Sequence, residues 1–163
     1  ELDTIISSVK DNPGRHVCVT GGEPLLQSEV YPLMVQLCDL NYIVSLETSG
    51  DINCAKVDSR VKKIIDVKTP DSGESGKFDF KNLTYADVNT EFKFVICSER
   101  DFEWAESFAQ ENGLFEKSNV FFSPSFGVID ENWLAKKILS ARTQARLQLQ
   151  LHKYIWSPET RGV

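Results

Sequence analysis

The chain lacks a cluster of closely spaced cysteines: its four, Cys18, Cys38, Cys54 and Cys97, stand at least 16 residues apart. That spacing excludes a local thiolate set for a metal or cluster, and each cysteine reads as a reduced core or surface thiol. No apolar run approaches the length of about 18 residues that a membrane span needs. The start of the chain carries no basic, apolar, small-residue signal pattern, so the expected compartment is the cytoplasm. Positive charge is not in excess either. Lys and Arg number 18 against 24 Asp and Glu, a net charge of −6, which argues against nucleic acid as a partner and leaves room for a local basic pocket holding one small anion. There is no starting methionine and no cap before the first helical residues. Glu1 begins directly in a helical pattern that carries Leu2, Ile5, Ile6 and Val9, and the chain is expected to be a fragment whose beginning is missing.

What is present is the composition of an ordinary folded protein. The 163 residues are 41% hydrophobic and 26% charged, enough for one domain with a proper core. The stretch at 15–27, RHVCVTGGEPLLQ, organises the rest. Val17, Cys18 and Val19 suit a buried parallel strand because apolar residues continue without polar alternation. Gly21 and Gly22 allow backbone to approach a ligand, and Pro24 suits the first turn of a helix. Glu23 is thereby held at the C-terminal end of a strand, the end at which α/β proteins bind ligands. The plainer reading of the same residues is a turn that needs glycine for its geometry and carries a solvated glutamate.

Periodicity lays out the remaining chain. A helix is predicted over 2–10, then the strand and glycine loop, then one helix over 25–40 in which Pro32 marks a bend or break. Strands follow at 42–46, 61–67, 92–97, 120–122 and 146–152. Helices are predicted at 101–110, closed by Asn112-Gly113, and at 131–141, capped by Asp130. Residues 71–90 are rich in Ser, Gly, Asp, Asn and Lys and read as a long excursion; 154–163 read as a tail. Strands alternating with helical segments predict an α/β fold of parallel βα units. An open flavodoxin-like sheet and a partial barrel both satisfy the pattern. In the last strand Leu147, Leu149 and Leu151 alternate with Arg146, Gln148, Gln150 and His152, so one face is polar. That face belongs either to water at a sheet edge or to a ligand-lined interior.

The strand exits collect the chemistry-bearing residues: Thr20 to Glu23, Glu47 with Thr48, Asp66 to Lys68, Ser123 to Phe126, and Gln150 with His152. TGGEP at Thr20 to Pro24 resembles the glycine loop of radical S-adenosylmethionine enzymes, whose backbone and glutamate hold the methionine amino group of the cofactor. Five further stretches, SLETSG, IDVKTP, KFVICS, FSPS and LQLQLHKYIW, extend the resemblance along nearly the whole chain. They resemble one family in particular, the 7-carboxy-7-deazaguanine synthases of the queuosine pathway.

The resemblance implies a partial (β/α) barrel of the radical S-adenosylmethionine type, spanning 1–163 as one domain. It implies that Gly21, Gly22 and Glu23, then Asp66, Val67 and Lys68, then Ser123, Pro124, Ser125 and Phe126 hold S-adenosylmethionine. Thr20, Glu47, Gln150 and His152 would contact the pterin substrate. The implied reaction begins with reductive cleavage of S-adenosylmethionine at a [4Fe–4S] cluster, near which Mg2+ is expected. The 5′-deoxyadenosyl radical then abstracts hydrogen from 6-carboxy-5,6,7,8-tetrahydropterin, and ring contraction with loss of ammonia gives 7-carboxy-7-deazaguanine. An electron donor such as a flavodoxin and a homodimer are implied as well. Three clustered cysteines belong to this chemistry and are absent here, so the cluster and magnesium ligands are expected in a preceding segment and the chain alone is expected to be inactive. Two alternatives share the glycine loop: another radical enzyme such as an activase, and a non-catalytic pterin- or nucleotide-binding relative.

Overall fold

A computed structural model describes residues 2–160; position 1 of the predicted helical start and positions 161–163 of the predicted tail lie outside the described residues. The chain divides into two units, Glu1–Asp66 with Lys77–Glu91 and Val67–Gly76 with Phe92–Val163. No described helix is long and apolar enough to cross a membrane.

In the first unit α1 (Leu2–Lys10), β1 (His16–Val19), a 3₁₀ turn (Pro24–Leu26), α2 (Val30–Asp39), β2 (Ile43–Thr48) and β3 (Lys62–Asp66) follow in chain order. The single helix predicted over 25–40 is instead the 3₁₀ turn and a separate α2. Proline is the reason. Pro24 opens the turn, and Pro32 falls in the first turn of α2, where a missing N–H breaks no intrahelical bond. From Val30 onward the predicted spacing holds: Val30, Leu33, Met34 and Leu37 are buried, and α2 packs on β2.

Both pairings in this unit are parallel, with Cys18 opposite Ser45, Ser45 opposite Lys62 and Glu47 opposite Ile64. The strand predicted to be buried at 17–19 is an edge strand. Among the described residues β1 has β2 as its one strand neighbour, so His16 and Cys18 are exposed and the two valines only half-buried. β2 runs two residues further than predicted and alternates fully, with Val44, Leu46 and Thr48 buried and Ile43 and Glu47 exposed. The excursion over 71–90 contains no α-helix; its first-unit part forms a 3₁₀ turn (Phe80–Leu83). Buried Asn82 ties this turn to the chain after β2. Its amide nitrogen donates to the carbonyl oxygens of Gly50 (2.9 Å) and Ile52 (3.3 Å), and its oxygen accepts from the Cys54 N–H at 2.9 Å.

The second unit holds most of β4 (Thr90–Ile96), then α3 (Glu99–Glu111), α4 (Leu114–Lys117), β5 (Asn119–Pro124), α5 (Glu131–Ala141), β6 (Arg146–Leu147) and α6 (His152–Ile155). Its core is aromatic. Phe94 meets Phe108 and Phe122 edge-on at 5.8 Å each, and Phe102 meets Phe122 at 5.4 Å, the geometry that ring quadrupoles favour. The caps fall as predicted, with Asp130 accepting from the Trp133 N–H at 2.7 Å and Gly113 left-handed at φ +60° beyond the Asn112 cap. Helix α4 was not anticipated, since four residues carry too little periodicity to register.

β6 departs most from expectation. It is parallel to β5 through Phe121 opposite Arg146 and Phe122 opposite Leu147, and it ends there instead of running to His152. The Gln148 N–H still donates to the Phe122 carbonyl at 3.0 Å; after that the backbone bonds turn local, Lys153 N–H to Gln150 O (2.9 Å) and Tyr154 N–H to Leu151 O (3.0 Å). His152 consequently opens α6.

Candidate functional site

In the first unit the glycine loop, the end of β2 and the end of β3 carry the predicted residues. Gly21 (φ +100°) and Gly22 (φ +56°) are left-handed and exposed, and a Cβ added at either would meet nothing within 4 Å. The backbone there is open to a ligand. Glu23 follows in extended conformation as the cap of the 3₁₀ turn, and it is not the solvated glutamate of the plainer reading. One carboxylate oxygen accepts from the Leu25 N–H (3.1 Å), the other from the Ser49 N–H (2.8 Å) and hydroxyl (2.6 Å), and the Thr48 hydroxyl lies within 2.9 Å of both. Burial pushes this carboxyl's pKa up; the Ser49 hydroxyl and N–H, the Thr48 hydroxyl and the Leu25 N–H outweigh it and hold the group below its ordinary value of 4.5. The glutamate is therefore ionised at neutral pH and fixed in direction.

Alternation places Glu47 on the face of β2 opposite Val44 and Leu46. The register puts it level with Ile64, and Asp66, two residues on, shares that face of β3. Val19 pairs with Leu46, so Thr20 leaves β1 level with Glu47. The first unit thus gathers Thr20, Glu47 and Asp66 on one face at the C-terminal ends of three adjacent strands.

In the second unit Val67 is buried and its N–H donates to the Lys93 carbonyl at 2.8 Å; Lys68 is half-buried. Ser123 and Pro124, expected just beyond a strand ending at 122, are the last two residues of β5 and are buried. The Ser125 N–H donates to the Ile96 carbonyl at 2.9 Å. Phe126 meets the Tyr154 ring edge-on at 5.3 Å and has the Lys153 ammonium 5.6 Å from its centroid, while the Tyr154 hydroxyl donates to Glu131. Two atoms stand out. Ser123 Oγ and Gln150 Oε1 are both buried with no hydrogen-bond partner among the described residues, a state that costs free energy unless a ligand or water completes it. His152 is exposed on α6, not in line with Gln148 and Gln150 on a strand.

No family model matches the chain. Among curated proteins it is 43% identical over 165 residues to the 7-carboxy-7-deazaguanine synthase of Chlorobaculum tepidum, covering 99% of this chain and 75% of that protein. It is also 43% identical over 176 residues to the 7-carboxy-7-deazaguanine synthase of Koribacter versatilis, covering 99% and 78%. The chain belongs to the 7-carboxy-7-deazaguanine synthase family. Among solved structures, QueE from Escherichia coli superposes with a TM-score of 0.70 at 18% identity, over 92% of this chain and 63% of that one. The family member described here therefore has the α/β partial barrel of the radical S-adenosylmethionine type, and it spans about three quarters of the two curated relatives and just under two thirds of the QueE chain.

Some residues of this 7-carboxy-7-deazaguanine synthase family chain carry weight that sequence reasoning missed. Ser49, with Thr48, orients Glu23; the signal was two hydroxyl residues before a glycine in SLETSG. Asp101 is fully buried in the second unit, and its signal was the Ser98-x-x-Asp101 spacing of a capping box. No group of three His, Cys, Asp or Glu side chains among the described residues is arranged to hold a metal ion.

Proposed function

We propose that this chain forms part of a radical S-adenosylmethionine lyase that converts 6-carboxy-5,6,7,8-tetrahydropterin to 7-carboxy-7-deazaguanine with loss of ammonia. The single observation that carries the reading is 43% identity across 99% of the chain to a 7-carboxy-7-deazaguanine synthase. The geometry supports it through the fixed, ionised Glu23 beside an open glycine backbone. We read 1–163 as one domain.

Glu23 accepts hydrogen bonds from the methionine ammonium of S-adenosylmethionine. A carboxylate offers about four lone-pair sites, and here the Leu25 N–H, the Ser49 N–H and the Ser49 hydroxyl occupy three. The single Thr48 proton, shared between both oxygens, occupies the fourth. An arriving ammonium takes the place of that proton. Gly21 and Gly22 line the same end of the cofactor with backbone, which their missing Cβ atoms leave accessible. Asp66, Val67, Lys68, Ser123, Pro124, Ser125 and Phe126 complete the cofactor's surroundings, with Ser123 Oγ as a buried group awaiting a partner. Thr20, Glu47, Gln150 and His152 contact the pterin, and Gln150 Oε1 is available to accept from a ring N–H.

The radical chemistry is supplied by S-adenosylmethionine and a reduced [4Fe–4S] cluster. The thiols described here do not fit the cluster: Cys54 is buried, with burial pushing its pKa up to about 11, while Cys18 is exposed on the edge strand. The described carboxylates likewise offer no set for Mg2+. A flavodoxin-type electron donor, a homodimer and a cytoplasmic location complete the proposal.

The test is an anaerobic assay of the reconstituted full-length protein with S-adenosylmethionine, dithionite and 6-carboxy-5,6,7,8-tetrahydropterin, with products identified by mass. Formation of 7-carboxy-7-deazaguanine with 5′-deoxyadenosine is expected. Cleavage of S-adenosylmethionine only when a partner protein is added would point to an activase, and pterin binding without any cleavage to a non-catalytic relative.

A further inference from the structure

The second unit contains a carboxylate that the reaction does not use. Asp101, in the first turn of α3, is 0% exposed. Its Oδ1 accepts from the Asp71 N–H at 2.9 Å, and its Oδ2 from the Cys97 N–H at 3.0 Å and from the Thr69 hydroxyl at 3.0 Å, whose one proton is shared with the Val95 carbonyl at 2.9 Å. A buried carboxylate is retained at a cost unless its oxygens are occupied, and all three donors come from the two segments that leave β3 and β4. A second layer of bonds repeats the connection. The Ser98 hydroxyl donates to Asp71 Oδ2 at 2.5 Å and accepts from the Asp101 N–H at 3.1 Å, and Arg100 pairs with Asp71 Oδ1 at 3.1 Å. Thr69 itself is 0% exposed, and its carbonyl accepts from the Ser72 hydroxyl at 2.6 Å.

Val67 and Lys68 immediately precede this fixed point. Val67 is held on its other side by its N–H bond to the Lys93 carbonyl, so the Val67-Lys68 segment is fastened at both ends within one unit. We infer that Asp101, acting through the Thr69 hydroxyl, is a positioning residue that presents Val67 and Lys68 to the cofactor. The inference rests on the reading of these two residues as part of the S-adenosylmethionine site. Asp101 touches no ligand in this scheme. Its role is to remove the conformational freedom that the loop would otherwise lose on binding.

Substituting Asp101 itself risks unfolding, because two backbone N–H groups lose their acceptor together and the Thr69 hydroxyl is left with the Val95 carbonyl alone. The test therefore uses Thr69→Val, which keeps shape and removes one donor, and Thr69→Ser, which restores the hydroxyl. S-adenosylmethionine binding is measured by calorimetry on the cluster-loaded full-length protein, well below the unfolding midpoint. Thr69→Val is expected to weaken binding about tenfold, the equivalent of one hydrogen bond to a charged group, with Thr69→Ser within about twofold of wild type. Affinity for the pterin, whose contacts Thr20, Glu47, Gln150 and His152 lie outside the 67–72 segment, should stay within about twofold in both variants. Wild-type affinity for S-adenosylmethionine in Thr69→Val overturns the inference, as does an equal loss for both ligands, which marks general loosening. If the wild-type protein itself fails to bind S-adenosylmethionine, the functional reading falls and the inference with it.

Discussion

Replacing Glu23 with glutamine tests whether the glycine loop is held by its own glutamate before any ligand arrives. The carboxylate faces four donors, at 2.6 to 3.1 Å, from Leu25, Thr48 and Ser49. An amide offers one oxygen where the carboxylate had two, and its NH2 must turn toward groups that also donate. The Thr48 hydroxyl can reverse and accept from the amide; the backbone N–H groups of Leu25 and Ser49 cannot. One bond to a charged acceptor is therefore lost outright, a cost of about 2 kcal/mol, or roughly 4–8 °C in midpoint for a chain of this size. The pH dependence supplies a second readout. Because the folded state holds the Glu23 pKa below 4.5, the unfolded chain takes up the proton first on acidification. The stability contributed is full above the ordinary value and drains away as pH falls through the depressed one. Urea unfolding of wild type and Glu23→Gln at about pH 7 and at about pH 3 should show a gap that closes in acid. A variant as stable as wild type at neutral pH, or a gap unchanged in acid, would refute the claim that these bonds fix an ionised glutamate.

Two further outcomes follow from burial and backbone geometry. Cys54, buried and raised to about 11, should resist a thiol reagent at about pH 8 until the protein unfolds, whereas exposed Cys18 should react at once; time-resolved reaction with a chromogenic disulfide, followed by peptide mapping, gives the order. Gly50 sits at φ +76° with the position of an added Cβ 2.8 Å from Ile65 Cγ2 and 2.9 Å from the Phe78 ring. Gly50→Ala should cost about 2 kcal/mol or more in urea unfolding, since neither the left-handed backbone nor the two side chains can yield cheaply, and a change below about 0.5 kcal/mol would contradict it.

The alternation of elements was readable because amphipathic spacing reports the core directly. Val30, Leu33, Met34 and Leu37 along α2, and Phe102, Ala105, Phe108 and Ala109 along α3, are all buried. Where the reading slipped, a local rule was overridden by neighbours that periodicity does not see. Val17 and Val19 are apolar enough for a central strand, yet burial depends on how many strands flank them, and β1 is flanked by β2 alone among the described residues. Alternating Leu and polar residues over 146–152 suit a strand equally well along their whole length. The ladder ends after Gln148 all the same, because from Gln150 onward the backbone bonds to itself. The TGGEP loop was legible as a candidate site from its motif, whereas the bonds from Thr48 and Ser49 that hold its glutamate were not. Ser49 lies 26 residues from Glu23, and nothing in either segment announces the other.

Glu23 and Asp101 answer the same physical problem in the two units, and the comparison explains why hydroxyl residues gather near them. Each is a carboxylate withdrawn from water after a strand, with no Lys or Arg among its hydrogen-bond partners in the described residues. Each is stabilised by backbone N–H groups and a threonine hydroxyl: Leu25, Ser49 and Thr48 for Glu23, Asp71, Cys97 and Thr69 for Asp101. A cation would have satisfied either carboxylate more strongly. It would also have cancelled the negative charge by which, on the proposed reading, Glu23 attracts an ammonium, so neutral donors are the arrangement that fixes direction while leaving the charge available. For Asp101, buried throughout and facing no ligand, the same donors serve another end. Each backbone N–H bond pins one point of the chain, and a lysine on a flexible stem could not fasten two strand exits at once. The difference between the two carboxylates, Glu23 half-buried and Asp101 fully buried, therefore fits the two roles proposed for them, one meeting a ligand and the other holding the groups that do.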